Sequence, residues 1–213
     1  MTPTRLRRRI GRRAATVALA AVGTIAATAG SAVAADVYVD YDFNGTTNIA
    51  STGSNVTLGP AVMYTTVADD GTFVGDMTLP GTRTEFKLAG FIPVTADIDF
   101  IPTKPTTGQM IRVGRYRTLT SSSSYYVRLS NIAVVGFPLF AGSQCRTKDP
   151  VLMDANTPEG EYFTIADGGR LTGTYTIGDF QNCGLNTWLI NTIIPGSGNT
   201  VDLQLTGGRP GTP

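Results

Sequence analysis

Histidine is absent from all 213 residues, and that absence limits the chemistry the rest can do. Without an imidazole, neither a Ser-His-Asp nor a Cys-His nucleophile can be assembled, nor a His-rich zinc site. The serine with the most suggestive surroundings is Ser197, in Pro195-Gly196-Ser197-Gly198-Asn199. Glycine amides beside a serine suit an oxyanion, but Pro195 stands where the nucleophile turn of hydrolases has glycine. No base adjoins it, so Ser197 reads as a turn serine. Asp97 and Asp99, two apart on a strand, share a face at about 7 Å, close enough to work as paired carboxylates. The simpler reading is a solvent-facing surface paired with Lys or Arg on a neighbouring strand. Asp40-Tyr41-Asp42-Phe43-Asn44-Gly45 matches the first half of a calcium loop, yet Ser51 holds the twelfth position, where a bidentate Glu belongs. Alternation alone puts Asp40, Asp42 and Asn44 on one side of a first strand. These residues imply no metal and no cofactor, and they identify no catalytic residue.

The elements that must position these groups are strands. Val37, Val39, Tyr41 and Phe43 alternate with polar residues, and a Gly/Thr/Asn/Ser segment over 44–55 reads as a turn. Val56 to Asp69 and Phe73 to Leu79 flank Asp69-Asp70-Gly71, a hairpin signal. Thr84, Phe86 and Leu88 oppose Arg83, Glu85 and Lys87; Gly90 and Pro93 follow as a bend or bulge. Val94 to Phe100 alternates again. Pro102, Pro105 and Gly108 mark a loop, and Ser121–Ser124 a polar turn between Met110–Thr118 and Tyr125–Val135. Short strands are expected at Val151–Met153 and Tyr162–Ala166. The last part of the core comes from Leu171–Ile177 and Val201–Leu205, which both alternate strictly. Only Asn186 to Ile194 has helical spacing, with Leu189/Ile193 and Ile190/Ile194 on one face. About ten short strands and one short helix predict an all-β, antiparallel β-sandwich, with a barrel as second choice.

The N-terminus predicts export. Six arginines between Arg5 and Arg13 precede an apolar run from Ala14 to about Gly30, and SAVAA closes before Asp36. This is the pattern of a signal peptide, residues 1–35, cleaved after Ala35 or Ala34. The run is barely long enough for a membrane anchor and ends in small residues, so no stable membrane insertion is expected after cleavage. Residues 36–213 then form a single secreted domain. The 11 basic residues left face 16 acidic ones, a formal charge of −5, which argues against nucleic acid as a partner. Two cysteines in an exported chain predict one disulfide, Cys145–Cys183. That bridge would bring two apolar runs to one end: Phe137, Leu139 and Phe140, and Trp188, Leu189 and Ile190. Such groups either cap a core or form a surface for lipid or polymer.

Four stretches carry a resemblance across essentially the whole processed chain: LAGFIPVTADIDFIPTKPTTGQ, VRLSNIAVVGFPLFAGSQCRT, GGRLTGTYTIGDFQNCGL and NTIIPGSGNTVDLQL. Together they resemble a group of small exported actinobacterial proteins, some identified as cholesterol esterases of the Streptomyces type. The resemblance implies a secreted lipid-ester hydrolase, with a lipid or sterol ester as partner. Cys145 and Cys183 carry over, and no catalytic residue does. The alternative is a non-catalytic secreted or cell-surface protein that binds sterol, lipid or a polymer. Intact-mass measurement on protein from the medium is expected to give a chain starting at Asp36 or one residue earlier; a full-length precursor held in membranes would overturn the export reading.

Overall fold

The computed structural model describes residues 36–88 and 91–212; the predicted signal peptide, 1–35, lies outside the described residues. The fold is antiparallel β throughout, as the alternation predicts. In chain order the strands are β1 (Val37–Ile49), β2 (Ser54–Val67), β3 (Thr72–Met77), β4 (Thr82–Leu88), β5 (Ile92–Val113) and β6 (Tyr116–Val134). They continue with β7 (Phe137–Pro138), β8 (Arg146–Thr147), β9 (Val151–Asn156), β10 (Gly168–Ile177) and β11 (Phe180–Gln181). The helix α1 (Thr187–Ile193) and β12 (Gly196–Pro210) complete the chain.

Pairing runs β6-β9-β10-β12-β1-β2-β3-β5, and β5 pairs with β6 again. The ladder therefore returns on itself, but only in part. The later half of β5 and the earlier half of β6 complete the ring; the other halves continue beyond it. There β5 carries β4 on its free edge, and β6 carries β7 and β8, with β11 outermost. One end is thus closed like a barrel, while at the other β4, β5 and β6 face β1, β2 and β10 across a core, as in a sandwich.

Three expected breaks are strand instead. Pro102 and Pro105 lie inside β5, where register shifts between Pro102 and Lys104 and between Lys104 and Thr107 absorb the missing donors. Ser121–Ser124 lies inside β6. Its hydroxyls bond across strands rather than to their own backbone: Ser121 Oγ donates to Ala155 O (2.6 Å), Thr103 Oγ1 donates to Ser124 Oγ (2.7 Å), and Ser123 Oγ pairs with Thr106 Oγ1 (2.9 Å). The segment 44–55 is mostly strand, leaving a turn at 50–53. By contrast, the hairpin at Asp69-Asp70-Gly71 forms as predicted, with Gly71 at φ +85° against the Met110 carbonyl, where a Cβ would not fit.

Alternation divides the wall cleanly. Inward residues such as Tyr41, Phe43, Leu58, Phe163, Leu171 and Leu205 are buried. The outward row across β2, β1, β12 and β10 reads Thr57, Thr46, Asp202 and Thr172. A polar exterior around an apolar interior is the sidedness of a sheet in water and the reverse of a lipid-spanning barrel. At the closed end the Tyr41 hydroxyl donates to Ile165 O (2.9 Å) and its ring meets Phe163 edge-on, so the loop after β9 is tied to β1.

Cys145 and Cys183 are bonded and fully buried. They join the segment before β8 to the segment after β11, 38 residues apart. Chain entropy alone gives such a crosslink roughly 4 kcal/mol of stabilisation. Cys145→Ser and Cys183→Ser are each expected to lower unfolding free energy by about 2–4 kcal/mol in denaturant melts. An unchanged midpoint would show that the bridge constrains nothing that the sheet does not already hold.

Candidate functional site

The open end gathers the residues that alternation cannot bury. β6 leaves the sheet through Val135 and Gly136, both at positive φ, and returns as β7 against Ala133 and Val134. Leu139 N donates to Ile132 O (2.7 Å), which turns the Leu139 side chain onto the core and leaves its neighbours outside. Across the disulfide, Asn182 and Gly184 take left-handed backbone and lead through a single 3-10 turn, Gly184–Asn186, into α1. Asn186 Nδ2 donates to Phe140 O (3.1 Å), fastening the two loops together. Asn191 holds α1 to β11 from both sides, accepting from Phe180 N (2.7 Å) and donating to Phe180 O (3.0 Å).

The two predicted apolar runs therefore meet, and each divides. Leu139, Leu189 and Ile190 face inward, lining a cavity beneath α1. Phe137, Phe140 and Trp188 face outward at 75, 86 and 69 % exposure. Leu185, one helical turn before Trp188, is 93 % exposed and joins them. Phe91 and Val135 are also exposed here, with Val135 N donating to Pro93 O (2.9 Å). Leu185 and Phe91 were not singled out from sequence; the i, i+3 spacing of Leu185 to Trp188 was the available signal. Large aromatics at this exposure cost solvation without stabilising the fold, the usual mark of a contact surface.

The candidate catalytic groups are dispersed. Ser197 is exposed at the start of β12, and the residue that matters in its segment is Asn199. Fully buried, Asn199 accepts from Ala50 N (3.0 Å) and donates to Tyr175 O (3.2 Å) and Gly196 O (3.0 Å). Among the described residues no serine hydroxyl is hydrogen-bonded to a carboxylate or a lysine. Asp97 accepts from Arg83 Nη1 (3.0 Å) and Asn131 Nδ2 (2.7 Å), while Asp99 accepts from Arg128 Nε (3.2 Å) and Nη2 (3.0 Å). Both are cross-strand surface pairs, worth about 0–1 kcal/mol each. Asp42 takes a two-pronged contact from Arg209 (2.6 and 2.9 Å), which holds its carboxyl below the usual range. Asp40, Asp42 and Asn44 stand along a continuous strand rather than around a loop, and no group of three or more metal-ligating side chains forms among the described residues.

No protein-family model matches the chain, and neither a curated protein nor a solved structure matches it.

The shifted groups of the interior are phenols. Burial pushes Tyr41 up to about 12, partly offset by the nearby Arg117 charge. Tyr125 and Tyr175 are also raised, chiefly by burial. Thr47 Oγ1 donates to Thr200 O (2.8 Å), so the Tyr175 hydroxyl is the donor in its 2.6 Å bond to Thr47. A raised acid binds its proton more tightly when folded, so its stabilisation is complete below the unfolded value near 10 and is lost as pH rises toward the folded value. Stability is therefore expected to fall between about pH 10 and 12. Three of the eight tyrosines are expected to ionise late in an ultraviolet titration; if all eight ionise together near pH 10 while the sheet stays folded, the burial argument fails.

Proposed function

We propose that this is an exported, non-catalytic lipid-binding protein whose aromatic end attaches to lipid or sterol-ester surfaces. The observation that carries the reading is the outward set Phe137, Phe140, Leu185 and Trp188, held on a scaffold stiffened by a buried disulfide. Aromatic side chains held rigidly lose little entropy on contact and supply most of the apolar area such a contact needs. The formal charge of −5 on residues 36–213 favours neutral, apolar surfaces over anionic ones. Export is supported by the N-terminal pattern and by the disulfide, which persists in oxidising compartments.

The esterase implied by the sequence resemblance would need an activated nucleophile, a base other than histidine and an oxyanion site. The spacing of Ser197 from any paired base, and the engagement of Asp97 and Asp99 by arginines and Asn131, favour binding over hydrolysis.

The test uses neutral phosphatidylcholine vesicles with and without cholesteryl oleate. Wild type is expected to co-sediment with them and to shift the emission of its one tryptophan, Trp188, to the blue. Trp188→Ala is expected to weaken co-sedimentation about tenfold, the cost of one large apolar contact. Free cholesterol is expected to stay at the level of the protein-free control. Absence of vesicle binding would sink the proposal, and cholesterol release proportional to protein concentration would replace it with the hydrolase.

A further inference from the structure

At the closed end the hairpin that joins β5 to β6 outruns its neighbours. Beside it β3 stops at Thr72, opposite Gln109, and β9 stops at Asn156, opposite Thr120. Past the buried pair Met110↔Leu119 come Ile111↔Thr118, Arg112↔Arg117 and Val113↔Tyr116, then a two-residue turn at Gly114 and Arg115. One isolated bridge, Arg117↔Phe163, ties this tip to the loop after β9. Alternation gives the tip two faces. Arg112 and Arg117 continue the face of Met110 and Leu119, which is buried further back and open to water here. The reverse face carries Ile111, Val113 and Tyr116, all about half exposed. The Tyr116 ring is held by stacking on Tyr162, with centroids 4.2 Å apart and planes at 21°.

The cations of the tip are exceptional in this chain. Of the eight arginines in residues 36–213, Arg83, Arg128, Arg170 and Arg209 bond to carboxylates, and Arg146 stacks over Tyr126. The other three, Arg112, Arg115 and Arg117, all belong to the tip, and among the described residues none of them is in an ion pair. Glu161, next to Tyr162 in the chain, is engaged by Arg170 instead. Arg112 and Arg117 also stand directly opposite each other, and like charges in that position destabilise a strand pair. An uncompensated cation pair and an exposed aliphatic face both cost the free protein stability, and they occur on the same four-residue stretch of ladder.

From this two-faced tip we infer that the closed end docks on an anionic phospholipid surface, with Arg112, Arg115 and Arg117 on lipid phosphates and Ile111, Val113 and Tyr116 in the acyl boundary. The guanidinium fork matches phosphate oxygens in pairs, and tyrosine suits a boundary that is apolar on one side and wet on the other. Each basic residue close to an anionic bilayer adds to the attraction. A soluble polyanion would engage the arginines and leave Ile111 and Val113 in water; a neutral surface would leave three cations unused. The chain's formal charge of −5 does not oppose this docking strongly, because charges beyond about 8–10 Å are screened at ordinary ionic strength. The surface therefore meets the tip's own cations first. This site goes beyond the neutral-lipid reading and is independent of it, since Phe137, Phe140, Leu185 and Trp188 belong to the open end.

The probes are phosphatidylcholine vesicles with and without phosphatidylglycerol, and immobilised dextran sulfate as a soluble-type polyanion. The Trp188→Ala chain serves as parent, so that the aromatic end contributes little. It is expected to co-sediment with phosphatidylglycerol vesicles in low salt and to be released in about 0.5 M salt, where screening shortens to a few ångströms. Arg112→Gln with Arg115→Gln is expected to weaken that binding roughly twentyfold, about fivefold for each basic residue at an anionic surface. Its melting temperature is expected to be no lower than the parent's, since the like-charge pair is relieved. Ile111→Thr with Val113→Thr keeps both side chains β-branched and is expected to weaken vesicle binding at least about fivefold, with retention on dextran sulfate unchanged. Retention on dextran sulfate without vesicle binding would overturn the inference and assign the tip to a polymer. Vesicle binding that ignores the two arginine substitutions would overturn it as well. Should the threonine pair fail to fold, the contrast between phosphatidylglycerol vesicles and dextran sulfate decides. Binding of wild type to phosphatidylglycerol vesicles but not to neutral ones would support this site while sinking the aromatic-end reading.

Discussion

The long register between β5 and β6 is the constraint on which the rest depends. The two strands run 22 and 19 residues, about three to four times the common strand length, and remain paired from Val94↔Val134 to Val113↔Tyr116. Strands this long accumulate a large right-handed twist along their length. The shifts at Thr95/Asp97, Pro102/Lys104 and Lys104/Thr107 bend the strands and add to that twist, turning one half of the hairpin away from the other. One half closes the ring; the other becomes the second face of a sandwich. The interior then lacks a single shape that side chains can fill uniformly, and small apolar voids remain inside it.

A sheet that opens at one end loses hydrogen-bond partners there, and this protein replaces them with side chains and one covalent bond. Asn199 serves three backbone groups, Asn191 two and Asn186 one. The disulfide joins the same loops. Amide side chains can donate and accept at once, which backbone groups at an irregular rim require. At the closed end hydroxyls rather than amides do this: Leu119 N donates to Thr157 Oγ1 (2.8 Å), Ser121 Oγ donates to Ala155 O (2.6 Å) and the Tyr41 hydroxyl donates to Ile165 O (2.9 Å).

How much of this was legible in the residues varies with range. Period-two alternation in β1, β10 and β12 gave buried and exposed faces directly, because a side chain's face depends only on its neighbours in the strand. Asp69-Asp70-Gly71 gave a turn because Gly71 needs positive φ. Pro102, Pro105 and Ser121–Ser124 misled for one shared reason. Their preference for loops is local, and it was overridden by partners in β6 and β9 that are distant in sequence. The division of each apolar run into one inward and one outward half was not legible. It depends on the bond from Leu139 to Ile132 and on the left-handed residues around Cys183, neither of which leaves a periodic trace. Leu185 stood in a polar stretch and gave only its spacing to Trp188.

The polar groups themselves bear on whether chemistry takes place here. A hydrolase concentrates shifted acids and bases in one water-excluded cleft. In this fold the carboxylates that are paired with arginines, Asp42, Asp97, Asp99, Glu161 and Asp202, stand on the outer wall. The raised phenols of Tyr41, Tyr125 and Tyr175 are buried in the wall's interior with their protons retained at neutral pH. The paired charges are thus outside and the raised phenols inside, while the polar side chains beside the exposed aromatic set, Asn186, Thr187 and Thr192, are bonded to backbone carbonyls. Such a partition stabilises no developing charge at the place where a lipid would touch.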